Sequence, residues 1–158
     1  MKYERMKRNN LRCNAVTPTG VDVVKILDRI QYARELADYS ANKMKQKFPS
    51  FMGKIRRRIF DDNDLRALSL AFSTFRRETN RAIKSIDSAI SELNKGKLPA
   101  CVKYLKLAIE AAQKVTRGAL SIKDPVIDDV TNDLWATTAN LVTVYTVLGD
   151  VLRKIGSL

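Results

Sequence analysis

Residues 65–93, LRALSLAFSTFRRETNRAIKSIDSAISEL, decide the fold. Apolar and small residues recur in this stretch at alternating spacings of three and four, which is one helical face sustained for four heptads. We predict a long helix here that packs against partner helices along this face. The face comprises Leu65, Leu68, Phe72, Phe75, Thr79, Ala82, Ile86, Ala89 and Leu93.

A second periodic segment follows after a short connection. The sequence Asn94-Lys95-Gly96-Lys97 predicts a turn with Gly96 as the helix C-cap, and Pro99 suits the first turn of the next helix. Because the connection is short, we expect the two helices to form an antiparallel hairpin. The buried face of this next helix is predicted to comprise Cys101, Leu105, Ala108, Ala112, Val115 and Ala119.

The C-terminal segment repeats the pattern after Asp124-Pro125, which predicts a helix start. Thr and Val are abundant and favour strands, but nine positions stay in helical phase, and packing rather than propensity stabilises most helices. Trp135, Val142 and Tyr145 flank this face as a self-association surface or as a wide core face, and we favour the core. The face itself comprises Ile127, Val130, Leu134, Thr137, Leu141, Val144, Leu148, Val151 and Ile155.

The N-terminal part of the chain predicts two further helices. Thr19 and Asp22 have the form of a capping box, so the first helix should begin near Gly20, and Pro49 should end it. Residues 51–60 then predict a short basic helix, and the acidic residues at 61–64 suit the cap of the next helix. The buried face of the first helix should comprise Ile30, Ala33, Ala37, Ala41, Met44 and Phe48.

Together these segments predict an all-α protein, a four-helix bundle of four long helices plus one short basic helix. Residues 1–20 carry no apolar periodicity and are expected to form a flexible basic N-terminal arm, with residues 21–158 as the helical bundle domain. No segment reaches the roughly 18 apolar residues that a membrane span requires. The basic N-terminus has no apolar stretch behind it, so we expect a cytoplasmic protein.

Composition argues against catalysis. The 158 residues include no His, which removes the commonest general base and the commonest metal ligand. Cys13 and Cys101 are the only thiols, too few for a structural zinc site, and we expect Cys101 to be a small buried residue. No phosphate-binding loop is present. We therefore expect no enzyme, no metal and no cofactor.

Positive charge is the main functional signal. The chain carries 29 Lys and Arg against 17 Asp and Glu, a formal net charge of +12, and the excess is concentrated in residues 1–60. Such an excess is typical of proteins that neutralise phosphates. Because arginine presents a planar fork of donors, the run at 56–58 suits this role. The candidate contacts are Lys2, Arg5, Lys7, Arg8, Arg12, Lys43, Lys45, Lys47, Lys54, Arg56, Arg57, Arg58, Arg77, Arg81 and Lys84.

Two alternatives accompany this interpretation, a charged face that is merely solvated and a membrane surface. The basic, amphipathic residues 51–60 also suit an anionic membrane surface, although ten residues bind weakly. Tyr32, Tyr39 and Phe60 could stack on bases, although aromatic side chains more often lie in a core.

Residues 68–78, LSLAFSTFRRE, resemble the third-helix segment of four-helix-bundle proteins encoded by rRNA intervening sequences. Those proteins are related to the accessory proteins of diversity-generating retroelements. Lys47-Phe48-Pro49 followed by Ile55-Arg56-Arg57-Arg58 resembles the helix end and basic second helix of the family. The family's Asn-Ile-Ala-Glu-Gly motif has no counterpart, and Ser73 stands where Gly is usual.

The resemblance implies a basic oligomeric bundle that binds structured RNA and a reverse transcriptase, with Arg56, Arg57 and Arg58 as nucleic-acid contacts. The sequence therefore predicts a non-catalytic accessory subunit of a nucleoprotein complex that binds RNA or DNA, RNA being favoured, and forms a homo-oligomer. Its protein partner would be a reverse transcriptase or another component of that complex. Two alternatives stay open: a nucleoprotein or capsid subunit that packages nucleic acid, and a helical protein-interaction adaptor that binds none.

Overall fold

The computed structural model describes residues 20–57, 62–120 and 128–157. Within these ranges the chain forms four α-helices and no strand. They are α1 (Gly20–Arg57), α2 (Asp62–Asn94), α3 (Leu98–Leu120) and α4 (Asp128–Gly156). The predicted all-α fold is confirmed. Residues 1–19 of the predicted N-terminal arm lie outside the described residues, and Gly20 is the first residue of α1.

The helices pack as a four-helix bundle in which each contacts its neighbours in the chain and α4 returns against α1. Antiparallel packing of α1 and α2 follows from two contacts, Arg34 with Asp87 and Phe48 with Phe72. On the other side of α1, the buried Ser40 hydroxyl donates a hydrogen bond to the Thr137 carbonyl of α4 at 3.2 Å. The α2–α3 interface is the most extensive, and the α1–α2 interface is the least.

The predicted face of residues 65–93 is the buried face of α2, with two exceptions. Leu65 is 40% exposed and Phe72 is half-buried. The other predicted members are buried: Leu68, Phe75, Thr79, Ala82, Ile86, Ala89 and Leu93. Gly118 near the end of α3 lies beside Thr74. Because the two helices are antiparallel, the first turns of α2 extend past the end of α3 and leave Leu65 uncovered.

The predicted end of the first helix at Pro49 is wrong. Helix α1 continues through Pro49 as far as Arg57, so the predicted short basic helix forms the last turns of α1 over its described part. Proline removes one helical hydrogen bond, but Phe51 beyond it is fully buried and its ring centroid lies 5.5 Å from that of Phe72. Burial of this ring outweighs the lost hydrogen bond, because tertiary packing supplies most helical stability.

The turn between α2 and α3 forms as predicted. Gly96 has a φ of 74°, in the left-handed region that favours glycine. Its N–H donates to the Leu93 carbonyl at 3.0 Å, and the N–H of Lys97 donates to the Glu92 carbonyl at 2.9 Å. This pair of hydrogen bonds is a Schellman motif, which satisfies the last carbonyls of α2 and reverses the chain within three residues.

Helix α4 forms despite its β-branched residues, and its predicted face is buried from Thr137 to the end of the helix. The favoured core interpretation holds only for Tyr145, which packs against the core. It is wrong for Trp135 and Val142, whose side chains are 38% and 37% exposed. Both lie outside the face that α1 and α3 cover.

Cys101 is buried, as predicted, at the start of α3. Burial, reinforced by the Glu92 carboxylate, raises the pKa of its thiol to about 12. A raised pKa favours the neutral thiol at physiological pH, which is the form of a structural buried cysteine. Cys13 lies outside the described residues. None of the described helices combines the length and the apolar character needed to cross a bilayer.

Candidate nucleic-acid interface

The structure covers part of the predicted basic surface. The backbone of Lys54, Arg56 and Arg57 belongs to the last turns of α1, but their side chains are outside the described part of the structure. Six further predicted contacts lie wholly outside the described residues: Lys2, Arg5, Lys7, Arg8, Arg12 and Arg58.

The three lysines of residues 43–47 do not form one surface. Lys45 lines a groove between α1 and α2 together with Phe48 and Arg76. Lys43 and Lys47 are two residues away on either side, which places them roughly 200° around the helix from Lys45. Both are half-buried, whereas Lys45 is exposed. The sequence run therefore divides between two sides of α1.

The three predicted cations of α2 do come together. Arg77, Arg81 and Lys84 line one open groove between α2 and α3, here called the α2–α3 groove. Their spacing of four and three residues puts them on one side of the helix. All three side chains are exposed. The other residues that line the groove are polar or aromatic: Asn80, Ser85, Ser88 and Tyr104.

A buried carboxylate lies beside the groove. The Glu78 side chain is 5% exposed, and its Oε1 accepts a hydrogen bond from Arg77 Nε at 3.4 Å. Arg81 Nη1 lies 3.8 Å from the other carboxylate oxygen, Oε2. That Oε2 atom is buried without a hydrogen-bond partner in the described structure. Glu78 thus attracts two guanidinium groups to one place while leaving each of them largely exposed.

These two arginines retain donors for another anion. Each guanidinium has five N–H donors, and the contacts with Glu78 occupy few of them. The Arg77 and Arg81 side chains are 65% and 48% exposed, so the remaining N–H groups are accessible from solvent. With Lys84, the groove has three cations against one carboxylate and favours an anionic ligand such as phosphate.

Tyr104 is a groove residue that the sequence did not single out. It projects from α3 into the α2–α3 groove, and Lys103 Nζ lies 5.9 Å from its ring centroid. The residue sits between Cys101 and Leu105 of the buried face but is itself only half-buried. In the sequence, Tyr104 lies beside the predicted buried face of α3 and not on it, and this position could have indicated a partly exposed aromatic residue.

A second surface on α1 interleaves aromatic and basic residues. Tyr32 and Tyr39 are 43% and 56% exposed and, seven residues apart, share one side of the helix. The Arg29 guanidinium lies 5.9 Å from the Tyr32 ring centroid, and Lys43 follows Tyr39 by one turn. Both tyrosines are therefore accessible for stacking, as the sequence hypothesis required. Arg29 was not predicted, and Phe60 lies outside the described residues.

Within the described ranges, no cluster of three or more His, Cys, Asp and Glu side chains could hold a metal ion. A comparison with protein-family models gives no match, and comparisons with curated proteins and with solved structures give none either. The resemblance to the intervening-sequence proteins therefore stays a prediction.

Proposed function

We propose that this chain is a non-catalytic nucleic-acid-binding subunit that contacts the phosphate backbone, with RNA as the favoured ligand. The observation that carries the proposal is the convergence of Arg77, Arg81 and Lys84 in the α2–α3 groove. Guanidinium and ammonium groups bind phosphate oxygens through charge-assisted hydrogen bonds, which carry no sequence information. The expected binding is therefore electrostatic and tolerant of sequence.

Exposed aromatic rings support a single-stranded ligand. Tyr104 adjoins the three cations of the groove, and Tyr32 and Tyr39 are exposed on α1. Stacking of a base on an aromatic side chain is sequence-tolerant and contributes about 1–3 kcal/mol per base. A basic surface interspersed with accessible rings is the combination that such binding uses.

In this proposal the chain is an accessory subunit of a nucleoprotein complex, and the sequence resemblance makes a reverse transcriptase a candidate partner. A capsid or packaging subunit is the alternative with the same phosphate chemistry. A protein-interaction adaptor without nucleic acid is the alternative that the exposed Trp135 and Val142 of α4 favour. Filaments formed only with nucleic acid would support packaging, and absence of RNA and DNA binding would support the adaptor.

The test is a titration of labelled single-stranded RNA, with single-stranded and duplex DNA in parallel, across a salt series. Replacing Arg77, Arg81 and Lys84 together by Ala is expected to weaken binding to all three ligands. Three lost phosphate contacts should reduce the slope of log affinity against log salt by about 2 for single strands. Fluorescence anisotropy measures both quantities.

A charge-matched control removes three exposed cations that do not line the groove. These are Lys106 of α3 and Arg153 and Lys154 of α4. Their replacement by Ala lowers the net charge equally but should change the salt slope far less. Equal losses in both triple variants would reduce the proposal to non-specific attraction by net charge. Binding that is insensitive to salt would contradict it.

Self-association is the remaining part of the proposal. The exposed Trp135 and Val142 lie seven residues apart on one side of α4 and offer an apolar contact surface. Light scattering at physiological salt is expected to give a multiple of the 17.9 kDa chain mass. Replacing both residues by Glu should return the mass to that of one chain. A single-chain mass for the unaltered protein would contradict self-association.

A further inference from the structure

A second, apolar groove lies between α1 and α2 near the end of α1, here called the α1–α2 groove. It has a volume of about 590 Å³. Its apolar lining comes from both helices, namely Phe48, Met52, Leu65, Leu68 and Phe72. The other lining residues are polar or cationic side chains of α2: Ser69, Ser73, Arg76, Arg77 and Asn80. The groove lies where the α1–α2 interface, the least extensive of the four interfaces between neighbouring helices over their described residues, leaves the two helices incompletely packed.

Large apolar side chains are exposed along this groove. Phe48 and Leu65 are 44% and 40% exposed, and Leu70, which lines an adjoining surface together with Leu65, is 64% exposed. Single exposed apolar residues are ordinary on protein surfaces, whereas contiguous ones mark interaction sites. Phe48, Leu65 and Leu70 lie on adjoining surfaces, so they resemble the contiguous apolar residues of an interaction site.

The edge of the groove is cationic. Arg76 and Arg77 line it. Lys45 lines the neighbouring groove that shares Phe48 and Arg76 with it, and Arg66 lines the adjoining surface around Leu70. No carboxylate is among the described residues that line these surfaces. A second copy of the chain would bring the same cations against themselves, which disfavours self-association here. An occupant with acidic flanks would instead be attracted.

The length of the groove fits a helix. The α2 residues that line it run from Leu65 to Asn80, which corresponds to about 22 Å of helix axis. An amphipathic helix of about 15 residues has this length, and it fills such a groove with apolar side chains at positions i, i+4 and i+7. Acidic residues on both sides of that stripe would then face the cationic edge.

We propose that the α1–α2 groove binds an amphipathic helix of a partner protein, one with an apolar stripe flanked by Asp and Glu. This function is separate from phosphate binding in the α2–α3 groove, although Arg77 borders both grooves. The chain would thereby hold a protein and a nucleic acid on neighbouring surfaces.

The test uses a labelled peptide of about 18 residues with leucines at i, i+4 and i+7 and glutamates on both flanks. The full-length protein is expected to bind it, more weakly as salt increases, and to bind a peptide of scrambled order at least about tenfold less tightly. Leu65→Glu and Phe48→Glu should each weaken binding by about tenfold or more. Fluorescence anisotropy without nucleic acid measures this independently of RNA binding.

The matched control is Gln46→Glu, which adds the same negative charge at an exposed α1 position outside the groove. It should leave peptide affinity unchanged, and circular dichroism should show equal helicity in all variants. Equal binding of the scrambled peptide would overturn the proposal. So would a fall in oligomer mass in Leu65→Glu, which would assign the groove to a second copy. A greater loss of RNA affinity in Leu65→Glu than in the charge-matched control would assign the groove to nucleic acid.

Discussion

Replacing Phe51 by Ala is expected to lower the free energy of unfolding by about 3–5 kcal/mol, the usual cost of removing a fully buried Phe. The ring is completely inaccessible and packs against Phe72 of α2, so its removal leaves a cavity between α1 and α2. The loss should be measured by guanidinium denaturation followed by far-UV circular dichroism. It tests whether the chain beyond Pro49 belongs to the core.

Phe48→Ala is the matched control for this prediction. Phe48 also contacts Phe72, with ring centroids 5.8 Å apart, but its side chain is 44% exposed. Its removal should cost only about 1 kcal/mol, because less area is buried and no closed cavity forms. Equal losses for the two variants would contradict the continuous helix, since Phe51 would then be no more buried than Phe48.

Replacing Pro49 by Ala is expected to raise the free energy of unfolding by about 2 kcal/mol. A proline inside a helix costs about 3 kcal/mol, and the greater freedom of the unfolded chain returns up to about 1 kcal/mol of that. The new N–H at position 49 can donate to the carbonyl of residue 45, as the helical geometry requires. The same denaturation experiment measures the gain.

Pro99→Ala provides the comparison within the same chain. Pro99 is the second residue of α3, where an N–H has no partner within the helix, so this substitution should change stability by less than about 1 kcal/mol. If Pro49→Ala behaves like Pro99→Ala, or destabilises the protein, then α1 does not continue through residue 49.

Most of the fold could be predicted from sequence because its information is local. The alternation of three and four between Leu68 and Leu93 depends only on helical geometry, and the Gly96 turn depends only on the need for a positive φ. The continuation of α1 through Pro49 could not be predicted in this way. The hydrogen bond that proline removes is local, but the compensating burial of Phe51 against Phe72 joins residues of two different helices and arises only when α1 and α2 pack.

The candidate site shows the same division. The spacing of Arg77, Arg81 and Lys84 predicts that they share one side of a helix, and they line one groove. Tyr104 enters that groove only through the rotation of α3 against α2. Glu78 follows Arg77 directly and looks in sequence like one more exposed charge. Its burial depends on the packing around α2. The buried carboxylate forms ion pairs with both Arg77 and Arg81 and so holds the two guanidinium groups near each other.

The three-residue turn at Gly96 also has a kinetic consequence. Joining α2 to α3 closes a very short loop, whereas the Ser40–Thr137 contact between α1 and α4 closes one of 97 residues. The entropic free-energy cost of loop closure differs between these two loops by about 3 kcal/mol. The α2–α3 hairpin can therefore assemble early as a nucleus that already contains Arg77, Arg81 and Tyr104. Docking of α4 against α1, which closes the longer loop, then completes the bundle.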